Sequence, residues 1–177
     1  MINLQAWISA CRLRTLPLSV SGAIVGSGIA YSRDLFDGSI FTLTILTTLS
    51  LQILSNLAND YGDGVKGTDN EHRIGPERAL QSGNISPKQI RHAIVFNVIL
   101  CLILVTSLIY SAFGSEQFIT SIVCIILGVL AIMSAIKYHV GAYVYGYNAL
   151  GDVMVFLFFG WLSVLGTFFL YSTQIDF

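Results

Sequence analysis

Five apolar runs divide the chain, and one polar stretch interrupts them. The runs cover 16–32, 39–57, 89–112, 117–136 and 147–171, each close to the ~20 residues that a helix needs to cross a hydrocarbon core. The pattern predicts an all-α fold: a polytopic transmembrane helix bundle of about five spans, forming a single membrane domain over 1–177. Ahead of the first run, residues 3–14 place Leu4, Trp7, Ile8 and Cys11 on one helical face and end in Arg12 and Arg14. That pattern suits a short interfacial helix with Trp7 near the headgroups. The first span is rich in small residues, among them Ser19, Gly22, Gly26 and Ser27, which permit close helix packing. Ser86 followed by Pro87 predicts the N-cap and first position of the third span.

Composition agrees with this pattern. The chain is 54% hydrophobic and 11% charged, with a mean hydropathy of +0.73, whereas soluble domains carry about 25% charged residues. A net charge of −1 implies no nucleic-acid partner. Cys11, Cys101 and Cys124 are odd in number and scattered through apolar segments, so they read as small hydrophobes in a reduced setting. His72, His92 and His139 lack zinc-ligand spacing. No small-residue cleavage site follows the first apolar run, so no cleavable signal peptide is expected. With the N-terminus in the cytoplasm, eight of the nine Lys/Arg are inside and only Arg33 is outside, as the positive-inside rule requires. An inner (cytoplasmic) membrane location follows, with the polar stretch on the cytoplasmic side.

That stretch, 56–91, holds five of the ten acidic residues (Asp60, Asp63, Asp69, Glu71, Glu77) and five of the nine Lys/Arg (Lys66, Arg73, Arg78, Lys88, Arg91). Charge this dense at the end of a membrane span is expensive and marks a candidate site. Asn59, Asp60 and Asp63 read as NDxxD. If the second span's helix continues, Asn59 and Asp63 share a face, as do Asn56 and Asp60. The Gly-rich segment 62–67 is a flexible link able to fold Asp69 back toward them. Carboxylates with amide oxygens, and neither Cys nor His, are hard donors suited to Mg²⁺, which shares its shell with phosphate. Lys66, Arg73 and Arg78 suit the remaining phosphate oxygens. A lipid diphosphate, its head in the polar mouth and its tail between helices, fits such a site. A solvated, charge-balanced loop is the other reading.

NDYGDGVKGTD and RIGPERALQSGNIS resemble the first Asp-rich motif and following loop of the UbiA-type intramembrane prenyltransferases, within them the branch that prenylates 1,4-dihydroxy-2-naphthoate in menaquinone synthesis. RLRTLP (12–17), LQILSNLANDYGD (51–63) and YHVGAYVYGYNALGDVMVFLFFGWLSVLGTFF (138–169) extend the likeness along nearly the whole chain. The resemblance implies an enzyme that transfers a polyprenyl group from polyprenyl diphosphate to 1,4-dihydroxy-2-naphthoate with decarboxylation, giving a demethylmenaquinone. It implies Mg²⁺ held by Asp60, Asp63 and Asp69, with Asn56 and Asn59 orienting and Lys66, Arg73 and Arg78 on the diphosphate. Asp152, at the edge of span five, is a candidate for orienting or deprotonating the acceptor; a helix N-terminal carboxylate favoured by the dipole is the alternative. Tyr143, Tyr145, Tyr147, Phe156, Phe158 and Phe159 are candidates for cation–π contact with an allylic cation, against ordinary packing.

The chain departs from the family pattern at three places. Gly67 stands where the superfamily carries a further Asp, Asn148 replaces an expected charge, and no second Asp-rich motif follows span five. At ~20 residues per crossing the chain supplies about five of the family's roughly nine spans, so it is expected to be the N-terminal portion of such an enzyme and of low stability alone. A truncated, catalytically inactive membrane protein retaining part of the Mg²⁺–diphosphate site is the reading from another class, and a different aromatic acceptor is the alternative within enzymes. A CDP-alcohol phosphotransferase is excluded because Val65-Lys66-Gly67 follows Asp63-Gly64 in place of its signature. A transporter lacks support because no span interior carries an ionisable residue apart from Asp152 at its edge. Arg12 and Arg14 are expected to set topology alone.

Overall fold

A computed structural model describes residues 3–66, 78–137, 140 and 156–173, and every regular element among them is helical. Helix α1 (Leu4–Cys11) passes through a 3-10 turn (Leu13–Thr15) into α2 (Leu16–Ser32). Then come α3 (Gly38–Lys66), α4 (Pro87–Phe113) and α5 (Phe118–Lys137). A π-helical segment, Phe156–Gly166, continues into α6 (Thr167–Ser172). Four helical stretches are long and apolar enough to cross a membrane: Leu4–Ser32, Gly38–Val65, Pro87–Phe113 and Phe118–Lys137. Of the fifth predicted span, 147–155 lies outside the described residues and the remainder is a shorter apolar helix. The chain is an integral membrane protein built as a polytopic helix bundle.

Local chemistry sets the helix ends. Asn3 caps α1 by accepting from the Ala6 N–H at 3.2 Å. Asp37 accepts from the N–H groups of Ser39 (2.8 Å) and Ile40 (2.9 Å) at the start of α3. Ser86 caps α4 with Pro87 in its first turn, as the sequence predicts, and Gln89 completes a reciprocal capping box. Gly114 ends α4 at φ 61°.

Helix α3 is the centre of the bundle, packed against α1, α2, α4 and α5. It continues to Lys66, nine residues beyond the predicted end of span two at 57. The Gly-rich link expected from 62 is therefore helical as far as 66. Two features account for this. Asn59 and Asp63 bond one turn apart along the helix. Gly64 also lies against the 78–86 segment, where a Cβ would collide with the Leu80 side chain. The glycine serves contact rather than flexibility.

Burial in α1 also differs from the predicted apolar face. Ala6 and Ala10 are buried against Leu57, Ala79, Ile85 and Ile90, with Trp7 packed at the edge of that cluster. Leu4 and Ile8 are exposed. Small side chains let the α1 backbone come close to the core, and the larger ones face outward. The outward faces of α4 and α5 are apolar (Phe96, Ile103, Ile119, Ile126), as a lipid-facing surface should be. Between α3 and α4, Ser50 Oγ donates to Asn97 Oδ1 at 2.6 Å and lies 3.2 Å from Cys101 Sγ.

Candidate active site

The polar residues of α3 lie along one stripe. At ~100° per residue, Gln52, Asn56, Asn59 and Asp63 fall within about 60° of one another, with Asp60 on the flank. The junction between α1 and α2 sits against this stripe. Asn56 Nδ2 donates to the Cys11 carbonyl at 2.9 Å and to Thr15 Oγ1 at 3.1 Å. Its Oδ1 accepts from Gln52 Nε2 at 3.2 Å. These bonds commit Asn56 to holding the junction. Arg12, at φ 50° and ψ 60° where α1 ends, turns its guanidinium onto the carboxamide oxygen of Asn59. Asn59 Nδ2 in turn donates to Asp63 Oδ2 at 2.8 Å.

Beside this network is a cavity of about 280 Å³ lined by Arg12, Arg14, Asp60 and Arg78, with Ile8 and Leu13 as apolar walls. Asp60 is 1% exposed. A carboxylate that deeply buried requires compensating charge, and three arginines, Arg12, Arg14 and Arg78, are among the residues that line the same cavity. Among the described residues lining it, three cations less one anion give a formal +2. That is the balance for an anionic head group carrying several charges, which arginine recognises in bidentate fashion. Arg78 reaches the cavity because Ala79 and Ile85 are buried in the α1–α3–α4 cluster and Leu80 sits on Gly64.

Of the residues expected at the site, Asp60 and Arg78 line the cavity, and Asn59 and Asp63 form the adjoining network. Asn56 belongs to the staple beneath. Lys66 closes α3. Asp69, Arg73 and Asp152 lie outside the described residues, as do Tyr143, Tyr145 and Tyr147 and the side chains of Lys66, Phe158 and Phe159. Phe156, on the π-helical segment, is more than half exposed and packs near Trp161. Arg12 and Arg14, read from the sequence as topology determinants, also line this cavity. Among the described residues no three His, Cys, Asp or Glu side chains converge on one point. Asp60 and Asp63, three residues apart on α3, are carboxylate donors of the kind that suit Mg²⁺.

Taken together, the fold and site define a polytopic helical membrane protein with a buried carboxylate in a cation-lined cavity at one end of its bundle. The chain belongs to the UbiA prenyltransferase family, whose profile matches residues 19–177. It is 44% identical over 166 residues to a 1,4-dihydroxy-2-naphthoate octaprenyltransferase of Escherichia coli (strain K12), covering 94% of this chain and 53% of that one. A 1,4-dihydroxy-2-naphthoate octaprenyltransferase of Haemophilus influenzae is 42% identical over 180 residues, 99% of this chain and 58% of that one. One of Mycobacterium leprae is 33% identical, covering 99% and 57%. The chain thus spans little more than half the length of these curated relatives. No solved structure matches it.

Proposed function

We propose that this chain carries the donor-diphosphate part of an active site that transfers a polyprenyl group from polyprenyl diphosphate to 1,4-dihydroxy-2-naphthoate. The observation that carries this reading is the buried Asp60 sharing a +2 cavity with Arg12, Arg14 and Arg78, in a chain so similar to enzymes with that name. In the reaction the allylic C–O bond breaks and its electron pair leaves on the diphosphate. The naphthoate ring carbon that bears the carboxylate then forms the new C–C bond. The carboxylate departs as carbon dioxide and leaves its electron pair in the ring, and the product is a demethylmenaquinol, the hydroquinone form of a demethylmenaquinone.

Asp60 and Asp63, with Asp69, are the residues that would hold Mg²⁺, and a bound Mg²⁺ supplies Lewis-acid stabilisation of charge on the leaving group. The guanidinium groups of Arg12, Arg14 and Arg78 bind and orient the diphosphate and stabilise the charge it gains. Lys66 and Arg73 add to the same positive field, and Asp152 is assigned to the acceptor. Asn56 holds the junction that places Arg12. Among the described residues, Arg12, Arg14, Arg78, Lys88, Arg91 and Lys137 belong to one end of the bundle and Arg33 to the other. That asymmetry supports a cytoplasmic site in a bacterial inner membrane.

The test is prenyl transfer in membranes with 1,4-dihydroxy-2-naphthoate, a polyprenyl diphosphate and Mg²⁺. It is run on this chain alone and on the chain joined to a relative's remaining C-terminal spans. Mg²⁺-dependent product from the joined protein is expected to fall by about 10²–10³-fold in Asp63→Ala, the size of effect seen when one preorganised electrostatic group is lost. Product that survives Asp63→Ala undiminished would overturn the assignment.

A further inference from the structure

We propose that Arg12, besides its place at the diphosphate, is a positioning residue for Asp63, acting through Asn59. The inference rests on the reading above that Asp63 holds a divalent cation.

The relay runs in one direction because its first member can only donate. A guanidinium has N–H groups and no acceptor, so it must face the oxygen of the Asn59 carboxamide. It does so: Arg12 Nη2 bonds Asn59 Oδ1. That fixes which end of the amide points onward, and Asn59 Nδ2 donates to Asp63 Oδ2 at 2.8 Å. With its amide held at both ends, Asn59 cannot flip, and Asp63 is restrained to the rotamer that meets it. Without Arg12 the Asn59 oxygen loses that donor, and an amide turned with its oxygen toward Asp63 would repel the carboxylate.

The anchor of the relay is also built. Arg12 takes a left-handed backbone conformation (φ 50°, ψ 60°) that is uncommon outside glycine and asparagine. The turn is held there by Asn56 on the Cys11 carbonyl and Thr15 Oγ1. Thr15 closes it by donating from Oγ1 to the Arg12 carbonyl at 2.9 Å, with its N–H on the same oxygen. A residue needed only for its positive charge near a membrane surface requires none of this. Groups that orient a metal-binding carboxylate matter to the metal as the ligand does, and their loss costs about 10–100-fold in affinity.

The experiment measures Mn²⁺ binding, as a paramagnetic stand-in for Mg²⁺, by electron paramagnetic resonance on the full 177-residue chain in lipid nanodiscs. Wild type is compared with Arg12→Met, Asn59→Leu, the double variant and Asp63→Asn. The expected result is Mn²⁺ affinity weakened at least tenfold in Arg12→Met and in Asn59→Leu, with the double variant no weaker than the weaker single. Asp63→Asn should abolish binding. Should Arg12→Met fail to give monodisperse protein, Asn59→Leu alone decides, since it leaves the turn intact: unchanged affinity there overturns the relay. Independent, multiplying losses in the double variant overturn it too, because Arg12 would then act by a separate route. Binding lost in Asp63→Asn but intact in both relay variants leaves the cation site standing and refutes the relay alone. No wild-type binding that Asp63→Asn removes refutes the cation site, and the relay with it.

Discussion

The two ends of the bundle use similar polar residues for different ends. At the Arg33 end the bonds are mostly local. Asp37 caps its own helix within three residues, and Arg33 lies 5.4 Å from the Phe168 ring centroid. A long-range polar pair there is Ser27 with Tyr171, two hydroxyls 3.0 Å apart in the α2–α6 packing. At the Arg12 end the bonds join segments more than forty residues apart in sequence, Arg12 with Asn59 and Asn56 with the Cys11 carbonyl. They surround a fully buried carboxylate in a cationic cavity. One end closes helices; the other assembles charges that would otherwise stay in water. The cost of that assembly is why it indicates chemistry.

The largest break in this contrast should come from Asp60→Asn. The substitution keeps the shape but removes the only carboxylate among the described residues lining the cavity. Prenyl transfer by the chain joined to a relative's C-terminal spans is expected to drop by about 10²-fold or more. Activity is read per folded protein, because removing one partner of a buried charge group leaves the others less compensated and also lowers stability. Full activity would mean that the cavity is an electrostatic feature of the fold and not its working centre.

Next in size is a purely structural break on the other side of the molecule. A Cβ on Gly26 would stand 2.6 Å from the Val164 carbonyl oxygen and 2.8 Å from Thr167 Cβ. One of these is backbone and cannot swing aside, so Gly26→Val is expected to cost about 1–3 kcal/mol by overpacking. The same protein, once folded, should retain Mn²⁺ affinity. Lost affinity with an unchanged melting temperature would contradict the separation of the two ends.

What the sequence discloses follows from how local each cause is. The Ser86–Pro87 start of α4 is readable because the capping box closes within four residues. Four spans are readable because length and hydropathy decide them. The polar stretch is readable as a candidate site because charge beside a span is costly. The end of α3 is not, since Gly62 and Gly64 read as a flexible link until Leu80 is seen against Gly64. The buried face of α1 is hidden for a related reason. Ala6 and Ala10 are less apolar than Leu4 and Ile8, and only the closeness of the helices selects them. Arg12 is the extreme case: its role depends on a left-handed turn and a partner 47 residues away, which no spacing reveals.

A smaller effect is expected where capping is the whole role. Asp37→Ala removes the acceptor for two N–H groups at the start of α3, a loss of about 1 kcal/mol. Asp37→Asn should recover most of it, because asparagine caps as well as aspartate. If Asp37→Asn melts as low as Asp37→Ala, the carboxylate acts through its charge and the description of that end as simple capping is wrong.

The smallest quantity to be measured, a coupling between two hydroxyls, is also the sharpest check that the Arg33 end carries no chemistry. Ser27 and Tyr171 satisfy each other between α2 and α6, and such a bond contributes about 1 kcal/mol net. Ser27→Ala leaves the Tyr171 hydroxyl buried without that partner, and Tyr171→Phe does the same to Ser27. Each single change should therefore cost about 1 kcal/mol or slightly more. The double variant removes both hydroxyls and leaves nothing unsatisfied, so it should cost less than the sum of the two singles. A double-variant cycle read from melting in detergent measures that coupling, with prenyl transfer by the joined protein as the second readout. Coupling near zero would mean that the hydroxyls bond elsewhere. A fall in transfer rate larger than the loss of folded protein would place Tyr171 in the reaction and collapse the distinction between the two ends.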